Sequence, residues 1–190
     1  MLKVVIASAL MATISWASSP TGFMTKLGHS VLLSSIEAQN LIEWKQGDTN
    51  SYDIGMMGGF VKGTMVQKVR SVDAEGIWVD QDMDVMGQKQ QASQLIDPAT
   101  GEIKKFIVNG KEEKVPEPGE QEILEATESK ITVPAGNFEC IFVKIKDKKS
   151  GDITQAWINP EKVSIGGMLK VIQPSQFGEV TIALKSYKKN

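Results

Sequence analysis

Histidine and cysteine are almost absent: His29 and Cys140 are the only ones in 190 residues. That scarcity excludes most side-chain catalysis. A Ser-His-Asp or Cys-His arrangement would have to use His29, which precedes the regular strands and has no neighbour to orient it. One histidine and one cysteine cannot supply the usual ligand set of zinc. A lone cysteine forms no internal disulfide. Cys140 stands among Phe138, Ile141, Phe142 and Val143, the setting of an inert buried thiol, whereas reactive cysteines occupy electropositive, accessible places.

An excess of positive charge is also missing. Lys and Arg number 21 against 23 Asp and Glu, a formal net charge of −2. Nucleic acid needs a concentrated positive surface. The densest lysines are Lys144, Lys146, Lys148 and Lys149, with Lys188 and Lys189 near the end; both groups read as solvated faces. The expectation is no nucleic-acid partner.

Long apolar runs are missing too, apart from one at the start. Lys3 is followed by the uncharged stretch Val4–Ala17, with small Ser15 and Ala17 at positions −3 and −1 of a cleavage after Ala17. This is the pattern of a cleaved secretory signal covering residues 1–17. It is shorter than the roughly 18–20 residues that span a bilayer. No cysteine lies at the cleavage point, so no lipid anchor is expected there. The reading is therefore a soluble periplasmic or secreted protein, with a flexible segment at 18–28 and a single β domain over 29–190.

What the chain does have is period-two alternation. From Ile77 to Val85, Ile77, Val79, Gln81, Met83 and Val85 share one face, and Trp78, Asp80, Asp82 and Asp84 the other. That is the pattern of a half-buried strand. Val61–Val72, Glu139–Asp147, Ile153–Ile158 and Val180–Lys185 read the same way. In Glu139–Asp147, Ile141, Val143 and Ile145 oppose Cys140, Phe142, Lys144 and Lys146. Turns fall at Asp97–Gly101, at Asn109-Gly110, where both residues need positive φ, and at Ser150–Asp152. Val115–Glu125, with Pro116 and Pro118, reads as an exposed connection into a strand near Ile123–Val133. His29–Trp44 fits a short helix or a strand equally. The fold class is mainly β and antiparallel, with at most one or two short helices.

Several motif-like features fail their own spacing. Asp80, Asp82 and Asp84 open like a calcium loop, but Val85 and Gln91 replace its required Gly and Glu. On a strand the three carboxylates lie roughly 6.5–7 Å apart along one face, so no metal is expected. Gly55, Gly58, Gly59 and Gly63 match no phosphate loop, because Lys62 precedes Gly63; glycines here mark bends of a sheet. The methionines, among them Met56, Met57, Met65, Met83, Met86 and Met168, read as adaptable apolar filler. No catalytic residue and no cofactor is expected.

Val133-Pro134-Ala135-Gly136-Asn137-Phe138-Glu139-Cys140 is followed by Trp157-Ile158-Asn159-Pro160, Val163-Ser164-Ile165 and Met168-Leu169-Lys170. This order resembles uncharacterised bacterial cell-envelope proteins of the DUF3108 type, over roughly Ile131–Leu184. Ser164 stands where those sequences often show proline. The resemblance implies a strongly curved antiparallel sheet, a half-barrel or open barrel like the lipoprotein carriers (LolA/LolB-like), which hold acyl chains on the concave face. On that reading the protein is a non-enzymatic envelope protein binding a lipid or other hydrophobic ligand, lined by Phe60, Met65, Trp78 and Met83. The alternative is an interaction module for another envelope protein, using a sheet edge or an exposed face.

Overall fold

The computed structural model describes residues 42–115, 120–175 and 178–190. The signal segment, residues 18–28 and His29 lie outside the described residues. The strands are β1 (Thr49–Met56), β2 (Val61–Asp73), β3 (Gly76–Val85), β4 (Gln88–Ile96), β5 (Ile103–Val108), β6 (Lys111–Glu113), β7 (Gln121–Val133), β8 (Gly136–Asp147), β9 (Ile153–Ile158), β10 (Met168–Ser175) and β11 (Gly178–Lys188). They form one antiparallel sheet in the order β6-β5-β4-β3-β2-β1-β11-β10-β9-β8-β7. The sheet is not closed. Its only helical pieces among the described residues are single 3₁₀ turns at Met57–Gly59 and Ile165–Gly167. No described helix is long and apolar enough to cross a membrane.

One layer of sheet has no second layer to bury its apolar face, so it must curl upon itself. Its registers show which side turns inward: Val143, Ala156, Val171, Ile182, Ile54, Gly63 and Val85 are successive partners across seven strands. The curl is measurable. The Ala135 amide, in the β7–β8 turn, donates to the Leu184 carbonyl on β11 at 3.0 Å. In a flat sheet those strands would be roughly 14–19 Å apart, three to four spacings. Gly63 permits part of this bending: a Cβ there would lie 2.6 Å from the Asp84 carbonyl oxygen of β3. The strongly curved sheet is thus what the chain forms.

The core fills the concave side. One cluster joins Tyr52, Ile54, Met65, Met83 and Val85 to Val143, Ile145, Ala156, Val171, Val180, Ile182 and Leu184. A smaller one holds Val69, Ile77, Val79, Ile96 and Ile165. The inward alternation read for Ile77–Val85 and for Val180, Ile182 and Leu184 matches the burial of those residues. β8 departs from a simple two-sided strand. Val143 and Ile145 are buried toward its C-terminal end, but Phe138 and Cys140, of opposite parity, are buried toward its start. The end of the β7–β8 hairpin twists over the sheet, and the Phe138 ring sits 5.9 Å from that of Tyr187 on β11. Of His29–Trp44, only Ile42–Trp44 is described. It is neither helix nor strand, and the Ile42 amide donates to the Pro98 carbonyl at 3.3 Å.

The β9–β10 connection, Asn159–Gly167, acts as a plug. Val163, Ser164 and Ile165 are almost wholly buried. Ile165 crosses the concave side to join the cluster of β2, β3 and β4. Three consecutive residues, Ile165, Gly166 and Gly167, have φ of 53, 81 and 68°. The two glycines adopt this region freely, and the β-branched Ile165 does so at a cost of about 1–2 kcal/mol. Full burial of its side chain returns about 1.5–3 kcal/mol. Burial wins, and the strained turn holds.

Candidate functional site

The described surface has one unusual apolar feature. The β1–β2 and β3–β4 turns lie at the same end of the sheet, since the β2–β3 ladder runs up to Gly63 opposite Val85. On them Phe60 is 92% exposed, Met86 76% and Met57 52%. Met57 and Met86 also have left-handed backbones, φ 53 and 55°. Val85 pairs with Gln88, so Met86-Gly87 is a two-residue hairpin turn with positive φ at both positions. Asn109-Gly110 makes the β5–β6 turn with the residue pair this geometry favours, φ 49 and 80°. Methionine in the place of that asparagine is strained and faces water. Such backbones are enriched at functional sites, which makes this turn a candidate. The Asp84 carboxylate accepts a 3.0 Å bond from the Gly87 amide and holds the turn. Lys62 follows Phe60 closely, and Lys89 pairs with Asp84 across the ladder.

The four residues read as a ligand lining fall into three places. Met65 and Met83 are direct partners on β2 and β3, 0% and 3% exposed, within the main core. Trp78 is on the opposite, convex face, as alternation with Ile77 and Val79 requires. Phe60 is on the turn described above. Strand parity alone separates Trp78 from Met83, so the four never formed one surface. The exposed methionine turns were legible only as glycine-flanked apolar residues, Met57-Gly58-Gly59-Phe60 and Met86-Gly87.

The convex face carries charge and flat rings. The Arg70 guanidinium lies 4.6 Å from the Trp78 ring centre and 3.3 Å from Asp80. Asp80 also accepts from the Ser93 hydroxyl at 2.8 Å, and Asp82 from Gln91 Nε2 at 2.8 Å. The three carboxylates of β3 therefore serve cross-strand pairs and a turn. On the other wing, Phe142 and Trp157 lie 4.9 Å apart, with Lys170 5.5 Å from the Trp157 ring.

Between the two apolar clusters runs a belt of buried amides. Asn50, Gln67 and Gln81 are successive register partners on β1, β2 and β3, and Gln94 on β4 is diagonal to Gln81. All are at most 3% exposed. Asn50 Nδ2 donates to the Ser164 carbonyl at 2.6 Å, and Gln67 Nε2 to Gln81 Oε1 at 3.1 Å. Asn50 Oδ1, Gln67 Oε1, Ser164 Oγ and both polar atoms of Gln94 have no protein partner. Each buried polar group left unpaired costs about 1–3 kcal/mol. Sequence reasoning missed this belt; the glutamines at inward positions of β2–β4 were its signal.

Two further buried groups complete the interior. Burial pushes the Tyr52 phenol far above its ordinary value, against a hydrogen bond with Asn50 that acts the other way. Its hydroxyl donates to the Met168 carbonyl at 3.4 Å. Burial likewise raises the Cys140 thiol, opposed by its 3.5 Å bond to the Ser129 carbonyl. A raised thiol is a poor nucleophile at neutral pH.

No family model matches the chain, the family that its VPAG run resembles included, and no curated protein matches it. Solved structures do superpose on it. A candidate exported protein with a YmcC-like fold from Bacteroides fragilis gives a TM-score of 0.45 at 11% identity, covering 78% of this chain and 99% of that one. A candidate lipoprotein from Parabacteroides distasonis gives 0.41 at 13% identity, with 78% and 99% covered. A hypothetical protein from Chlamydia trachomatis gives 0.45 at 11%, with 78% and 89% covered. Overlaps this loose leave the fold to be described from the strands themselves.

Proposed function

We propose that this chain is an exported, non-enzymatic protein of the bacterial envelope that touches a lipid surface through its apolar turns. The observation that carries this reading is the exposure of Met57, Phe60 and Met86 at one end of the sheet. The signal-like Lys3 and Val4–Ala17 stretch supports export to a place where such a surface exists. Insertion of three such side chains yields about 3–6 kcal/mol if each is partly buried. Lys62 and Lys89 add about 1 kcal/mol each near anionic headgroups. The sum corresponds to weak, reversible attachment, like that of a single acyl chain.

Co-sedimentation with vesicles of phosphatidylethanolamine and phosphatidylglycerol tests it. The protein without residues 1–17 should pellet with the vesicles, and Phe60→Ser with Met86→Ser should leave it in the supernatant. Equal partition of the two proteins would overturn the reading.

Binding of a lipid or other hydrophobic ligand on the concave face is a second reading, supported by the apolar lining around Met65 and Met83. Those residues are packed against the core, so a ligand there requires displacement of neighbouring side chains or of the plug. Fluorescent fatty acids that bind wild type no better than an unrelated β protein would set this reading aside.

A further inference from the structure

We propose that Met57 and Met86 form a reversible oxidation site, and that their conversion to sulfoxides releases the chain from a lipid surface. The release rests on the lipid-surface reading above; the oxidation itself does not. The described methionines divide sharply. Met57 is 52% exposed and Met86 76%, whereas Met56, Met65, Met83 and Met168 are 6, 0, 3 and 3% exposed. Cys140, the other sulfur among the described residues, is 8% exposed. A solvent-borne oxidant therefore meets two thioethers there, and both stand on turns at one end of the sheet. Neither turn calls for methionine. Both backbones are left-handed, φ 53 and 55°, and neither side chain joins a core cluster. Leucine would provide the same apolar contact; what methionine adds is a thioether within reach of peroxide.

The oxidant is hydrogen peroxide. A sulfur lone pair attacks one peroxide oxygen, the O–O bond breaks and an S–O bond forms. The proton on the transferred oxygen passes to the departing hydroxide, which leaves as water. Sulfur loses two electrons and the peroxide gains them. The sulfoxide is polar, and its oxygen keeps hydrogen bonds in water that it lacks in hydrocarbon, so each oxidised turn withdraws from the lipid. Phe60 holds no sulfur, and Lys62 and Lys89 keep their charge, so attachment weakens without vanishing. Two thiols of a methionine sulfoxide reductase reverse the step, ending as a disulfide while the oxygen departs as water. The exposure of both residues leaves their sulfoxides open to such an enzyme.

Treatment of the protein without residues 1–17 with dilute hydrogen peroxide, followed by peptide mass mapping and co-sedimentation with the same vesicles, tests both halves. One oxygen each should appear on Met57 and Met86 before any appears on Met56, Met65, Met83 or Met168. The melting temperature should stay within about 2 °C of the untreated value. The ratio of vesicle-bound to free protein should fall about tenfold per sulfoxide, and reductases for both sulfoxide stereoisomers, supplied with a thiol, should restore it. Met57→Leu with Met86→Leu, compared with its own untreated sample, should lose its sensitivity to peroxide; it keeps every other sulfur, Met24 included. Oxygen arriving on Met65 or Met83 as fast as on Met86 would overturn the site. Untreated protein that stays in the supernatant overturns the lipid-surface reading, and the release with it. Oxidised and untreated proteins that pellet alike overturn the release alone.

Discussion

Asn50 on β1 and Ser164 in the β9–β10 plug are 114 residues apart, and the Asn50 amide donates to the Ser164 carbonyl at 2.6 Å inside the protein. This bond ties the centre of the sheet to the segment that fills its concave side. The carbonyl it satisfies is buried, so removing the donor leaves an unpaired acceptor as well as a gap. Asn50→Ala is expected to cost about 1–3 kcal/mol in urea unfolding. Hydrogen exchange of Val163–Gly167 should accelerate in the same variant. Unaltered exchange there would show that the plug is held by its apolar contacts alone.

Met86 invites the opposite change. In its turn, asparagine satisfies the left-handed backbone that methionine resists. Met86→Asn is expected to stabilise the fold by about 0.5–1 kcal/mol while weakening vesicle binding. Thermal melts and co-sedimentation on the same preparation read both effects. A variant that gains stability and still binds vesicles as wild type does would remove Met86 from the contact surface.

Ile165 and Gly167 set the shape of the plug by different means. Ile165→Ala should lose about 2–4 kcal/mol, the usual loss for truncating a buried isoleucine. Some of that cost is offset, because alanine is less strained than a β-branched residue at φ 53°. Gly167→Ala drives a Cβ into the Pro160 backbone nitrogen at φ 68°, and the backbone must move. It should destabilise at least as much as Ile165→Ala. Chemical denaturation of the two variants compares them directly, and a neutral Gly167→Ala would refute the close approach.

Tyr52 predicts an alkaline limit. Its folded-state phenol holds the proton more tightly than the unfolded chain does. That contribution is fully present below the ordinary phenol value near 10 and is lost as pH rises above it, at up to about 1.4 kcal/mol per pH unit. Cys140, whose thiol burial also raises, acts in the same sense from its lower ordinary value, near 9.0. Tyr52→Phe keeps the ring, gives up the 3.4 Å bond to Met168 and should flatten the decline above pH 10. Urea unfolding at stepped pH measures it; an identical decline in both proteins would mean that Tyr52 does not share in it.

The sequence by itself determined the class of the fold and the inward residues of its clearest strands. Alternation at Ile77–Val85 and Val180–Lys185, and Asn-Gly at the β5–β6 turn, are local patterns, and local geometry reads them directly. It also sufficed to separate Trp78 from Met83 by parity. Three features depended on the tertiary structure. The order of strands brings Ala135 onto Leu184 and curls the sheet. Ser164 meets Asn50 only once β9 and β10 are placed, so the inward glutamines of β2–β4 are visible along the chain but their closure by the plug is not. Met57, Phe60 and Met86 are the same apolar residue types as the buried Met65 and Met83. Nothing in their composition separates them; the ladder ends at Gly63 and Val85, and beyond that last pair the side chains have no opposing surface to bury against.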